Sequence, residues 1–421
     1  MSRNIILVTI DSLRADHCGF HGYDRNTTPT LDAMADEGVV FENAIAPGPA
    51  TPESMPTIFT GTFPCDRPTE ATGMNAMRQS LVDHLGVHGT LAEALSRRGY
   101  TTGAFTPNPW TSHHFGFDRG FDEFEDFLGD DRSSGLFKRT LEGHGSAMIN
   151  KLRFLLSWFQ SENTFKPWES FYDRVRSWIQ RTDQPYFLWV FLMDVHFPYL
   201  VPQEDRAQAT WEMYQANLKL FTGDQSTPYA PSIHQRLVTA YDDAITYLDR
   251  FFDRLRSDIG KDTSIVVHGD HGEGFGDHDT YGHQALYEEN IRVPLLVNGV
   301  CEEKRMSTPI SLASLPQLLV TIAERDNVGE PSFDRPLLVA PHRCERALRT
   351  PDWKYISDDG SAEELYHLST DPDERENLVH DRPDVRAACR ATLRSFDANR
   401  RERSAVAQQS RQFVASNGNS T

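Results

Sequence analysis

The chain predicts an α/β fold, and three short apolar runs carry that prediction: Ile5 to Ile10, Tyr186 to Leu192 and Ile265 to Val267. Their β-branched and aromatic residues run almost without polar interruption, as in strands buried on both faces of a parallel sheet. The first run stops at Asp11 and the last at Gly269-Asp270-His271-Gly272, so each delivers polar groups to the carboxyl edge of such a sheet. The middle run is too short to span a bilayer.

Local signals predict the remaining elements. Leu31 and Met34, with Gly38 as a stop, predict a short helix. Ala50-Thr51-Pro52-Glu53-Ser54 predicts a loop entering a helix, with Thr51 at the cap and Pro52 at the first helical position. Pro56 makes that helix short or kinked. Thr90-Leu91-Ala92-Glu93 is a capping box opening a helix that ends near Gly99, and a strand comes next over Thr101 to Phe105. Trp168, Phe171, Tyr172, Val175, Trp178 and Ile179 form a helical stripe, as do Tyr241 to Leu255. Aromatics at helical spacing indicate core packing, although the variable stretch 130–235, which also holds Phe154 to Phe159, could wall a substrate pocket. Ser404 to Thr421 is polar and expected to be a disordered tail.

Composition narrows the function classes. The 421 residues, 38% hydrophobic, suffice for a large core. The net charge of −19, with 7 lysines against 35 arginines and no basic stripe, speaks against a nucleic acid partner. Dense carboxylates suggest a saline cytoplasm, the alternative being an arginine-biased genome. No stretch reaches transmembrane length and no leader is evident, so cytoplasmic residence is expected. Cys18, Cys65, Cys301, Cys344 and Cys389 suggest no disulfide framework.

Asp11, Asp270 and His271 together supply hard oxygens and an imidazole, a set suited to one divalent cation such as Ca²⁺, Mn²⁺ or Zn²⁺. Taken singly, Asp11 could begin a turn and Asp270 could cap a helix. A Thr51 hydroxyl at the positive end of a helix would meet an arriving anion, unless it is a plain capping threonine.

Asp11-Ser12-Leu13-Arg14-Ala15-Asp16, Thr28-Pro29-Thr30-Leu31-Asp32 and Ile58-Phe59-Thr60-Gly61 resemble the amino-terminal half of the sulfatases, members of the alkaline phosphatase superfamily. Gly269-Asp270-His271-Gly272-Glu273, Gly282-His283, Ile291 to Leu295 and the tail motifs around Trp353, Tyr366 and Asp371 extend the resemblance over nearly the whole chain. It implies an alkaline phosphatase-like three-layer sandwich with a mixed sheet, spanning 1–340, and a small C-terminal antiparallel α+β unit over 341–403. It also implies a metal-dependent hydrolase of small anionic esters, with Asp11, Asp270, His271 and the Thr51 oxygen on the metal.

By the same resemblance His196 and His283 bind the anion or protonate the leaving group, and Ser54 matches the motif's serine as a substrate-binding residue. Asn108 falls near another substrate-binding stretch, though an asparagine between prolines also forms turns. The sequence departs from the family where its chemistry begins. Thr51 stands where sulfatases carry the cysteine or serine converted to formylglycine, so no formylglycine is expected; Ser12 replaces a second metal-binding aspartate. A threonine nucleophile brings phosphodiesterase or phosphonate monoester hydrolase activity into play beside sulfate hydrolysis. A noncatalytic anion-binding homologue is the third reading.

Overall fold

The computed structural model describes residues 3–64, 73–128, 166–223, 228–283, 285–325, 327–328, 337–342, 345–358 and 362–418. Phe154 to Phe159 lies outside the described residues.

The first part of the chain, counting its longer elements, runs β1 (Asn4–Ile10), α1 (Pro29–Asp36), β2 (Gly38–Phe41), α2 (Thr51–Thr60), α3 (Met74–His88), α4 (Leu91–Ser96), β3 (Thr101–Phe105) and β4 (Glu123–Glu125). After these come α5 (Tyr172–Arg181), β5 (Tyr186–Leu192), α6 (Thr210–Thr222), α7 (Pro231–Asp258), β6 (Thr263–Gly269), β7 (Leu295–Asn298), β8 (Lys304–Met306) and α8 (Leu315–Arg325). Eight strands form one sheet in the order β8-β2-β7-β6-β1-β5-β3-β4. Strand β7 is antiparallel to both its neighbours; the other pairs are parallel.

Alternation along β1 and β5 divides the core into two faces. Ile6, Val8, Ile10, Leu188 and Val190 pack with α1, α5, α6 and α7, whereas Ile5, Leu7, Phe187, Trp189 and Phe191 pack with α2, α3, α4 and α8. The result is a three-layer α/β sandwich. All six residues of the aromatic stripe at 168–179 pack on the first face.

A second, four-stranded antiparallel sheet is built from β9 (Leu337–His342), β10 (Glu345–Arg349), β11 (Trp353–Ser357) and β12 (Glu363–His367). One face meets Ile45, Leu286 and Ile291 of the main unit; the other is covered by Cys389 and Leu393 of α9 (Pro383–Gly418). Helix α9 continues to Gly418, past Ser404 where polarity alone suggests a disordered tail. Its Ala, Gln and Arg content favours helix.

One local expectation is corrected. The cap of α2 is Ala50, in extended conformation, and Thr51 is the first helical residue, so Pro52 takes the second position. The Thr51 hydroxyl makes no capping bond and is left for other work. Pro56 sits inside the ten-residue helix, which ends at Gly61 in the left-handed conformation glycine permits.

Candidate active site

Register brings the site together. In the parallel β1–β6 pair Ile10 lies opposite Gly269, so Asp11 and Asp270 leave the sheet side by side. The Asp11 N–H still bonds Leu192 O at 2.9 Å and the Asp270 N–H bonds Ile10 O at 3.2 Å, extending the ladder by one residue. His196 and Asn108 come after the carboxyl ends of β5 and β3, the next strands of the sheet. The site therefore spans four adjacent parallel strands at their carboxyl edge.

Asp11, Asp270 and His271 are fully buried, at 0%, 0% and 1% exposure. His271 Nδ1 lies 2.8 Å from Gly272 O, which assigns a proton to Nδ1 and leaves Nε2 facing Asp11 Oδ1 at 3.3 Å and Asp270 Oδ1 at 3.7 Å, as the nitrogen that a cation would take once its proton is displaced. Asp270 Oδ2 is buried without a hydrogen-bond partner. Two converging carboxylates and an orphaned carboxylate oxygen fit a cation and are costly without one.

The titration behaviour reflects this crowding. Burial, reinforced by the Asp11 charge, pushes the Asp270 carboxyl up to about 7. Burial works against a charged His271, yet Asp270 and Asp11 hold its imidazole up at about 10. Burial would raise Asp11 too, but His196, His271 and His283 overcome it and keep that carboxyl well below its ordinary value.

Thr51, 4% exposed, points Oγ1 into this cluster, 3.4 Å from His271 Nε2 and 3.5 Å from Asp11 Oδ2. Asn108 both forms a turn and reaches the cluster. Its Oδ1 caps the following turn by accepting from Trp110 N at 2.9 Å, while Nδ2 donates to Asp11 Oδ2 at 2.8 Å and to Thr51 Oγ1 at 3.5 Å. Ser54 is placed differently from the expectation of a substrate contact. It is fully buried and its hydroxyl donates to the Asp270 carbonyl at 2.6 Å, tying α2 to the metal-candidate turn.

His271, His283 and His196 form a row, with ring centroids 4.8 Å apart for the first pair and 5.8 Å for the second. His196 Nδ1 faces Phe197 O at 2.6 Å, and burial lowers its pKa despite the attraction of Asp11. Asp194 turns away, accepting from Trp168 N at 3.1 Å.

Several further residues support the site. Ser12 adopts φ 62°, donates its hydroxyl to Asp11 Oδ1 at 3.0 Å and its N–H to Asp270 Oδ1 at 3.3 Å. Tyr241 OH donates to Ser12 O at 2.7 Å. The buried Arg14 guanidinium binds Asp16, Asp277 and the Glu273 carbonyl, clamping the turn after β1 to the turn after β6. Glu273, next to the predicted pair, is buried as well. In the sequence Arg14, Asp16 and Glu273 are marked only by their motifs, and Tyr241 only by its helical stripe.

A buried carboxylate–imidazole cluster faces a helix-borne hydroxyl, an arrangement compatible with ester hydrolysis, and the comparisons with known proteins give the family. The profile of the Sulfatase family matches residues 3–315. This chain belongs to the Sulfatase family and is a hydrolase of sulfuric or phosphoric esters.

An ulvan-active sulfatase of Formosa agariphila is 24% identical, the match covering 89% of this chain and 77% of that protein. An arylsulfatase of Clostridium perfringens is 24% identical over 70% of this chain and 68% of its own. Among solved structures, the phosphonate monoester hydrolase of Agrobacterium radiobacter superposes with a TM-score of 0.66 at 18% identity, covering 94% of this chain and 96% of its own. A 2-O GAG sulfatase gives 0.67 at 17% identity, with 95% and 93% covered. These likenesses establish the alkaline phosphatase-like fold. Among the described residues, no helix is long and apolar enough to cross a membrane.

Proposed function

We propose that this protein cleaves small sulfate or related phosphate esters through a Thr51 nucleophile, with one divalent cation held by Asp11, Asp270, His271 and the Thr51 oxygen. The observation that carries the reading is the convergence on Thr51 Oγ1 of His271 Nε2, Asp11 Oδ2 and Asn108 Nδ2, at 3.4, 3.5 and 3.5 Å. The orphaned Asp270 Oδ2 and His271 Nε2 fit Ca²⁺, Mn²⁺ or Zn²⁺. Such an ion would lower the pKa of the Thr51 hydroxyl and neutralise oxygens of the transferring group.

The chain's own residues supply the remaining chemistry. Asn108 orients Thr51 Oγ1 and Asp11 together, and the amino end of α2 favours the anionic group arriving at its first residue. Thr51 Oγ1 gives up its proton to solvent as it attacks sulfur or phosphorus, the bond to the ester oxygen breaks, and the alcohol departs, leaving a threonine ester. His196 and His283 bind the nonbridging oxygens or pass a proton to the departing oxygen. Water then attacks the threonine ester in line.

Threonine has no second hydroxyl on its attacking carbon, so it cannot expel sulfate by the elimination open to a formylglycine hydrate. That feature of Thr51 favours a second reading, a phosphodiesterase or phosphonate monoester hydrolase on the same site. A noncatalytic anion-binding homologue is the third.

Turnover of 4-nitrophenyl sulfate, phosphate, phosphate diester and phosphonate with Mn²⁺, Ca²⁺ or Zn²⁺, on wild type and Thr51→Ala, tests the proposal. Loss of the preferred activity in Thr51→Ala is expected. Equal turnover by the two proteins would refute the nucleophile, and cation binding without turnover would favour the binder.

A further inference from the structure

Glu273 lies two residues beyond His271, and it is 1% exposed. A buried carboxylate needs partners for both oxygens. Oε2 accepts from Tyr199 OH at 3.1 Å. Oε1 has no hydrogen-bond partner, and neither does the buried His283 Nδ1 that faces it at 3.5 Å, the separation of an ion pair.

The carboxylate has little freedom to turn elsewhere. Its N–H bonds Glu289 O at 3.1 Å, and Arg14 Nη1 donates to its carbonyl at 3.0 Å. Gly272 passes so close to the next segment that a Cβ there would lie 2.1 Å from Glu289 O, which fixes the turn from which Glu273 projects. Tyr199 is fully buried, edge-on to Tyr241 and Phe275. His283, by contrast, keeps 32% of its side chain exposed at the edge of the site, its ring against His271. A half-exposed imidazole beside a fixed carboxylate takes its orientation from that carboxylate.

We propose that Glu273 is the positioning residue of His283: its carboxylate takes the Nδ1–H, fixes the ring, and leaves Nε2 as the nitrogen that serves the leaving group. The reaction in which this matters rests on the hydrolase reading above; the geometry does not. As the bond from sulfur or phosphorus to the leaving oxygen breaks, that oxygen takes the bonding pair and accepts the Nε2 proton of the His283 imidazolium. The ring returns neutral with Nδ1–H still donated to Glu273, which stays a carboxylate throughout.

The need for that proton depends on the alcohol expelled. A nitrophenolate departs without help, whereas phenolate, with a pKa of about 10 like tyrosine, needs it. Glu273→Gln and His283→Gln are therefore compared on 4-nitrophenyl and phenyl esters of whichever acid the wild type prefers. Each substitution is expected to lower kcat/KM on the phenyl ester by roughly 30-fold or more and on the nitrophenyl ester by less than about threefold. In the His283→Gln background, Glu273→Gln should cost less than about twofold further. Equal losses on both esters, or a full additional loss in the double variant, would overturn the proposal.

Should Glu273→Gln not fold, Tyr199→Phe removes the anchoring hydroxyl and keeps the ring. The same phenyl-selective loss is then expected, and an even loss counts against the proposal. Ring ¹⁵N spectra at a pH where His283 is neutral, assigned with His283→Gln, need no turnover. A proton on Nδ1 in the wild type is expected, and a proton confined to Nε2 would overturn the assignment. Absence of turnover by the wild type on either ester would defeat the hydrolase reading while leaving this spectrum to decide the positioning.

Discussion

Stripping and restoring the cation at different pH values exposes the protons stored in the site. Without an ion, Asp270 titrates near 7 because burial and Asp11 oppose its charge, and His271 near 10 because Asp270 and Asp11 outweigh its burial. Both values lie above those of the unfolded chain, 3.8 and 6.5, so the folded metal-free site holds extra protons. Its contribution to stability is fully present below the unfolded values; the Asp270 part is lost as pH rises through about 7 and the His271 part as pH rises through about 10. A cation has the opposite preference, since it needs both groups unprotonated.

Between roughly pH 5 and 6.5 each bound ion should release about two protons, and its association constant should rise about 100-fold per pH unit. Between roughly pH 8 and 9.5 only His271 still carries its proton, so the rise should fall to about tenfold per unit. Calorimetric titration of Mn²⁺ into chelator-stripped protein, in paired buffers of different ionisation heat, counts the protons directly. An affinity independent of pH over the upper range would refute the displacement of a proton from His271, and with it the ligand set.

Other substitutions separate positioning from packing. Asn108→Asp places a carboxylate where a donor now bonds Asp11 at 2.8 Å, and turnover should fall by at least ~100-fold with the fold retained by circular dichroism. Ser54→Ala leaves the Asp270 carbonyl without its 2.6 Å donor; thermal denaturation should show a loss of about 1–3 kcal/mol, and KM should stay within about twofold, against the substrate-contact expectation. Lys354 is fully buried between Glu288 at 3.3 Å and Glu374 at 2.8 Å, so Lys354→Met should cost about 3–5 kcal/mol in denaturant unfolding by leaving the buried Glu374 without its cation, whereas Glu288 keeps Arg349 at 3.4 Å.

The two halves of the metal-candidate site were legible because strand pattern and chemistry coincide at Asp11 and Asp270: an uninterrupted apolar run has to end at the sheet edge, and the next residue stands at the cleft. That they become neighbours is a matter of strand order, which periodicity does not encode; the resemblance supplied it. The cap of α2 was read one residue late because both threonine and alanine precede a proline near the helix start, and the extended backbone of Ala50 decides between them. Asn108 was weighed as either turn former or substrate-binding residue; one amide end forms the turn and the other reaches Asp11 and Thr51. At Ser54 a motif match carries residue type but not the direction of the hydroxyl, which here reaches the Asp270 carbonyl. Glu273 escaped notice because its partners, Tyr199 and His283, lie far apart in sequence from each other and meet only in the fold.

The central claim is covalent catalysis by Thr51. Acid quench of the protein during turnover of its best ester, followed by proteolysis and mass spectrometry, tests it most directly. The account predicts a peptide bearing one added sulfate or phosphate on Thr51, absent from Thr51→Ala. A protein that turns over rapidly, with the adduct on another residue, would contradict it.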